Sequence, residues 1–379
     1  MDVSMELQQR LAAALPVVRD AADGVDVEAR FPAESVQALA EAGLLGVGLA
    51  PEAGGSGGGP TEVVEAVAAV ASACGSTAMV YLMHLAALQV VAAAPPEADG
   101  DLVAALASGE RLGTLAFSER GSRSHFWAPV SQARRVDGRG VHVEADKSWV
   151  TSASHADVLV VSAQSPGATS PTESDLYVVA RTSSGVAATG RFDGLGLRGN
   201  DSAPVRLDVE IDDGARLGAE KAGFGLMMQV VLPWFNLGSA AVSVGVARAA
   251  LDAATAHVSR SRFEHLGSTL ADLPTIRAYV AKAWTDLAAH DAFLREAARR
   301  VEDPGEGTLL FVLGAKAGCN EMALRVTETA LRVAGGAGFS RQVGIDRPYR
   351  DARAGFVMAP TSDALYDFAG RALCGMELF

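Results

Sequence analysis

The chain has 379 residues, 49% of them apolar, and a net charge of −13 from 32 basic and 45 acidic side chains. That length holds two or three structural units or one large composite domain, and the apolar content supports a sizeable core and argues against wholesale disorder. The acidic balance, without any basic run interleaved with aromatics, argues against nucleic-acid binding, although a few local arginines or helix N-termini still suffice for a phosphorylated ligand.

Helical spacing opens the chain, with Leu7, Leu11, Leu15 and Val18 three and four residues apart and Val36, Leu39, Leu44 and Leu45 continuing the pattern. The glycine cluster from Gly43 to Gly57 breaks it; lacking the Gly-Lys-Ser/Thr ending of a phosphate loop, it reads as a structural turn. Residues 66–96 carry no Asp, Glu, Lys or Arg, but Gly75-Ser76-Thr77 interrupts them and Pro95-Pro96 ends them, which predicts two buried helices rather than one membrane span. Short β-rich runs follow at 112–117, 127–136, 139–144, 147–151, 157–163, 175–181 and 204–210, with an exposed loop at 164–174. Helical periodicity returns near residue 218 and holds to the end, with breaks at Pro304–Gly307 and Gly335–Gly338. Three units are expected: helical over 1–111, β over 112–217 and helical over 218–379. Cys74, Cys319 and Cys374 form neither a disulfide framework nor a metal-ligand spacing, and no signal pattern precedes the first helix, so a cytoplasmic protein without a metal is expected.

Residues 144–157 are the most informative segment. Lys147, Trp149, Val150, Thr151, Ser152, Ala153, Ala156 and Asp157 match the pattern N-G-x-K-x-W-[IV]-[TS]-[NS]-A-x-x-A-D, and the chain thereby resembles the acyl-CoA dehydrogenase superfamily. Further ordered matches are Ala116-Phe117-Ser118-Glu119, Leu195–Ser202, Leu217-Gly218 with Gly223–Gly225, Gly335-Gly336-Ala-Gly338-Phe339 and Tyr349–Arg353. The resemblance implies an α+β protein with an N-terminal helical domain, a middle β-barrel or sandwich domain and a C-terminal four-helix bundle. It also implies FAD in the crevice between the β unit and the C-terminal helices, and a homodimer or homotetramer in which a neighbouring subunit completes the site. Trp149 is expected behind the flavin ring with Thr151 and Ser152 on its polar edge. Phe117, Ser118 and Ser124 are expected in the loop over it, Arg332, Gly335 and Gly336 near the pyrophosphate, and Thr361 on the phosphate side.

The departures from the pattern bear on the reaction. The family uses a carboxylate to abstract a proton α to a thioester carbonyl. Where its glutamate is expected the chain has Ala359-Pro360-Thr361, and the alternative position, early in a C-terminal helix, is Phe235. The leading expectation is an FAD-dependent oxidoreductase acting on an acyl thioester, delivered by CoA or a carrier protein, in secondary metabolism. One alternative is a flavin monooxygenase fed by a separate reductase, in which His84 supports the oxygen chemistry; as a residue in an apolar helix, His84 also reads as a satisfied core histidine. Another is a non-redox descendant catalysing a rearrangement or cyclisation, or only binding ligand. Asp363, a helical turn beyond Ala359, is a candidate displaced base or a helix-end residue.

Overall fold

The computed structural model describes residues 3–122, 125–136, 138 and 140–377. The apolar stripe of Leu7, Leu11, Ala14 and Val18 sinks one face of α1 (Val3–Val27) against α3 (Pro60–Ala73). Pro60 begins α3 and the Glu62 carboxylate reaches back to accept the Gly59 N–H at 2.7 Å, a strong N-terminal signal. Cys74 adopts extended backbone and separates α3 from α4 (Gly75–Ala93), so the uncharged stretch is two helices. Nearly every residue of α4 is buried inside the protein, which accounts for its hydropathy without a membrane. Two shorter helices, α2 (Ala33–Glu41) and α5 (Leu102–Ser108), complete the first unit.

The middle unit is a sandwich of two sheets, and among the described residues no closed barrel forms. In one sheet β4 (Val158–Gln164) pairs in parallel with β1 (Gly113–Ala116) and antiparallel with β5 (Ser174–Ala180). The other is antiparallel in the order β2 (Ala133–Val136), β3 (Gly140–Val150), β7 (Ala203–Asp212), β6 (Val186–Ala188). Strict alternation along β7 and most of β3 sends Val141, Val143, Ala145, Val205, Leu207 and Val209 into the intersheet core. β4 is buried on both faces, and Val158 and Val160 join the main helical core.

A continuous helical segment then runs from α6 (Gly223–Leu226) through a π-helical stretch, Met227–Val231, into α7 (Leu232–Arg260). With α8 (Pro274–Glu302), α9 (Thr308–Gly338) and α11 (Ser362–Leu373) it forms the C-terminal bundle, and α10 (Asp346–Gly355) lies across α7 and α9. The expected break at Gly335 is a kink, with φ +59°, inside α9 rather than its end.

Candidate active site

A cleft of about 790 Å³ opens where the sandwich, α4, the α6–α7 junction and α10 meet. Its most exposed aromatic is explained by backbone geometry. Between the pairs Lys147–Val205 and Val150–Ala203, two residues of β3 face only Pro204 of β7, so Ser148 and Trp149 form a bulge opposite a residue that has no N–H to give. The Ser148 N–H donates instead to the Ser118 carbonyl at 2.8 Å, and Trp149 turns outward, 65% exposed, with the Phe192 ring edge-on at 6.5 Å.

The same strand carries its strongest electrostatic feature on the opposite face. Lys147 points into the intersheet core, where its ammonium donates to Glu119 Oε1 and the Ser162 carbonyl, both at 2.6 Å, and to Ser162 Oγ at 3.3 Å. Glu119 Oε2 accepts the Val130 N–H at 2.5 Å and the Ser131 N–H at 2.9 Å, and Oε1 accepts the Ser131 hydroxyl. Burial pulls Lys147 down from the usual lysine range. For Glu119 burial acts upward, yet the Lys147 charge and the converging hydrogen bonds outweigh it and hold the carboxyl below its usual range. With every polar atom of the pair matched, the ionised form is the one the geometry supports. Glu119 is the one carboxylate among the described residues lining the cleft, and its oxygens are committed to this network.

The third wall is the turn 192–202. Leu197 and Asp201 have positive φ, +51° each, as does Ser152 at +57° across the turn, a cluster of strained non-glycine residues beside the cleft. Buried Asp351 on α10 anchors the turn by accepting the Leu197 N–H at 2.6 Å, and burial pushes its carboxyl up to about 6. Gly196 is required here because a Cβ would stand 2.4 Å from the Arg350 carbonyl. Arg350 is held by Asp26, at 2.5 and 2.8 Å, and by Asp346 at 3.1 Å, whereas Arg353 stacks 3.4 Å above the Tyr349 ring and donates to Thr327 Oγ1 at 2.7 Å. Most of the remaining lining, including Met79, Met83, Phe126, Val231 and Phe235, is apolar, with Arg120 and Thr151 its polar members.

Of the residues expected at a flavin, Phe117, Ser118, Trp149 and Thr151 come together on one wall. Ser152 lies just behind it, buried, and its N–H donates to the Asn200 carbonyl. Ser124 lies outside the described residues. Thr361 does not line the cleft; its hydroxyl caps α11 by accepting the Ala364 N–H. Arg332 lies over the Tyr279 ring at 4.7 Å, and with Gly335 and Gly336 it is on the exposed end of α9, away from the cleft of its own chain.

Neither candidate catalytic residue lines the cleft. His84 is fully buried behind β1: its Nδ1 accepts the Gly113 N–H at 3.1 Å and its Nε2 faces the Leu45 carbonyl at 3.2 Å. Burial pushes it down to about 4, so it is a neutral tie between α4, β1 and the Leu45 turn, without surface on the cleft. Asp363 is exposed in the first turn of α11, where a negative charge suits the helix N-terminus, and it too is off the cleft.

Sequence reasoning missed the Glu119 anchor of Lys147, for which the only signal was a lysine on the inward-facing register of an apolar strand. It also missed Met79, Met83, Phe126 and Phe192, which carry no pattern that distinguishes a cleft from a core.

The wall chemistry fits a flavin. Ser118, Ser148, Thr151, Asn200 and Ser202 offer hydrogen-bonding groups around the outward-turned Trp149, while Met79, Met83, Val231 and Phe235 add apolar surface and Arg120, Arg350 and Arg353 also line the cleft. The comparisons agree. The N-terminal, middle and C-terminal domain profiles of acyl-CoA dehydrogenase match residues 9–110, 114–209 and 221–373 in turn. A probable acyl-CoA dehydrogenase of Bacillus subtilis is 28% identical over 88% of this chain and 87% of its own length. The NADH-dependent acryloyl-CoA reductase of Anaerotignum propionicum is 29% identical over 90% and 86%. The fold of butyryl-CoA dehydrogenase from Megasphaera elsdenii superposes with a TM-score of 0.91 at 21% identity, covering 99% of this chain and 98% of that one. Fold, cleft and three consecutive domain matches place the chain in the acyl-CoA dehydrogenase superfamily, whose members are flavin-dependent oxidoreductases carrying FAD.

Proposed function

We propose that this oxidoreductase acts on an acyl thioester, presented by CoA or by a carrier protein, without a glutamate base of the usual kind. The observation that carries the reading is the cleft itself. Its Trp149 wall suits the flavin, its apolar lining from Met79, Met83, Val231 and Phe235 suits an aliphatic acyl group, and the one carboxylate among its described lining residues, Glu119, is committed to Lys147 and three further donors. Phe235 and Ala359, the positions where relatives of this kind are expected to hold the base, both line the cleft as apolar side chains. Bound FAD supplies a two-electron acceptor. The protein's own residues then orient the acyl group, and with no free carboxylate among the described lining residues the α-proton passes to a basic group on the substrate or to water at the cleft mouth, which calls for a substrate already acidified by its own structure. Such a requirement suits secondary metabolism better than the degradation of ordinary fatty acyl groups. The unpaired Cys74, Cys319 and Cys374 suit the cytoplasm.

The exposed end of α9 supports a homodimer or homotetramer. Arg332, Gly335, Gly336 and the 88% exposed Phe339 stand clear of their own cleft and are available to a neighbouring subunit's cofactor.

The test is the visible spectrum of the purified protein with its flavin released and identified, followed by anaerobic mixing with acyl-CoA. Bound FAD, bleached by a thioester with an activated α-proton and far more slowly by a saturated straight-chain one, is the expected result. The uncommitted-carboxylate deficit also favours a second reading, a monooxygenase that needs no α-proton base; oxygen uptake dependent on a flavin reductase identifies it. A colourless protein that refuses both FAD and FMN leaves the non-redox reading.

A further inference from the structure

Behind the cleft, the segment after α10 is gripped from below by a strip of buried polar groups on α9. Lys316 is fully buried and, among the described residues, has no carboxylate within salt-bridge distance. Its ammonium donates to the Met358 carbonyl at 2.9 Å and the Pro360 carbonyl at 2.5 Å, the two that flank Ala359. It also faces the Phe235 ring, 5.5 Å from the centroid. One turn further along α9, the Asn320 side chain donates to the Gly355 carbonyl at 2.9 Å and accepts from Ser243 of α7 at 2.8 Å. Gly355 has no room for a side chain: a Cβ would lie 2.7 Å from Asn320 Oδ1 and 3.0 Å from Ser243 Oγ. The segment held this way supplies Val357, Met358 and Ala359 to the cleft, opposite the Phe235 that the same ammonium faces.

We infer that Lys316, seconded by Asn320, is a positioning residue that sets the spacing between the Val357–Ala359 wall and Phe235, and so decides which uncharged acyl groups the cleft accepts. An ammonium without a carboxylate is an expensive way to fill a core position. Its two carbonyl bonds give directional control that an apolar side chain of the same length lacks, because backbone carbonyls have to be matched by a donor in one geometry. Fixing this wall fixes how far it stands from Phe235, and the room between them is what admits or rejects acyl groups of different size. The inference rests on the acyl-thioester reading above.

The experiment uses the FAD-loaded full-length protein, titrated with butyryl-, octanoyl- and palmitoyl-CoA while the shift of the flavin visible band is followed. The wild type is expected to prefer one thioester over the weakest by about tenfold or more. Lys316→Met is expected to keep its FAD and flatten that preference to within about threefold, and Lys316→Arg, which retains a donor for each carbonyl, to restore part of it. If Lys316→Met does not fold, Gly355→Ala displaces the same wall from its other end with Lys316 in place, and the same flattening is expected. A folded, FAD-loaded Lys316→Met or Gly355→Ala with the wild-type order and spread of affinities overturns the inference, as does a wild type without preference. Failure of the wild-type FAD protein to bind any of the three acyl groups, whether on CoA or on the pantetheine arm of an acyl carrier protein, overturns the acyl-thioester reading itself.

Discussion

Replacing Lys147 by Met tests the idea that the Glu119–Lys147 pair holds the flavin-side wall in place. Methionine keeps the length and the apolar stem but leaves the Glu119 carboxylate buried against Val130 N–H, Ser131 N–H and the Ser131 hydroxyl, with no countercharge. Removing one partner of a buried ion pair costs about 3–5 kcal/mol. Glu119→Gln alone strands the Lys147 ammonium on Ser162 and costs a similar amount. The double variant carries no buried charge and has only uncharged groups to satisfy. A pairwise coupling of about 2 kcal/mol or more is therefore expected, so that the double variant is much less damaged than the two losses added together. The consequence reaches the cofactor, because Phe117 and Ser118 lead directly into Glu119 and the Ser118 carbonyl receives the Ser148 N–H beside Trp149. The assay is thermal unfolding followed by circular dichroism, in parallel with the rise in flavin fluorescence on FAD release. Each single variant is expected to lose FAD below its global transition, and the double variant to retain it more nearly like the wild type. Strictly additive losses, or single variants that unfold early while keeping their FAD to the last, refute the reasoning.

Trp149→Ala removes the exposed ring on which the flavin is expected to rest. With about 0.5–1.5 kcal/mol at stake in an aromatic stack, FAD retention measured by equilibrium dialysis falls about two- to twelvefold with little change in the apoprotein's melting. Lys316 has its proton affinity lowered by burial from 10.5 to about 7, so between those pH values the unfolded chain binds the extra proton. Stability therefore rises with pH across that window, by about 3–5 kcal/mol for this group, and the penalty is present in full below about pH 7. Urea titrations of wild type and Lys316→Met from pH 7 to 10 are expected to show that rise diminished in the variant; parallel curves count against a desolvated ammonium. His84→Ala orphans the Gly113 N–H and the Leu45 carbonyl and opens a cavity, which costs about 2–5 kcal/mol. Catalysis by the folded fraction, assayed well below the melting temperature, is expected to be unchanged, and an inactive but stable variant contradicts the structural role.

The architecture was legible where composition changes sharply. The uncharged stretch before Pro95-Pro96 reads as two helices because Gly75-Ser76-Thr77 interrupts it, and the chain does turn at Cys74. Reading failed where tertiary pairing overrides local signal. The runs 139–144 and 147–151 look like two strands because Ala145-Asp146 weakens the pattern, yet β7 pairs through that point with Asp146 opposite Arg206 and makes one strand of them. The run 127–136 is strand only from Ala133, since the backbone N–H groups of Val130 and Ser131 are committed to Glu119 instead of a ladder. Short β6 was missed because three residues of Val-Ala-Ala carry no period of their own; pairing with Val205–Leu207 defines it.

The site divides along the same physical line. Trp149 and Thr151 were picked out by the resemblance of residues 144–157 to the family pattern, and the Pro204 bulge turns the tryptophan outward into the cleft. Met79, Met83, Phe126 and Phe192 were not, since an apolar cleft is lined by the same residue types that fill a core, and only the surrounding empty volume tells them apart. His84 shows the converse: a titratable side chain in an apolar helix admits both a functional and a core reading, and its two backbone partners support the core one. Lys316 is the sharper case. In sequence it is one lysine on a long helix, indistinguishable from those that face water; in space it is an ammonium sealed between two carbonyls and a phenyl ring, one layer behind Ala359. A residue whose role is to hold backbone rather than to touch a ligand leaves its trace in hydrogen bonds to main-chain atoms. Those bonds depend on where the chain returns, not on the identity of any neighbour along it.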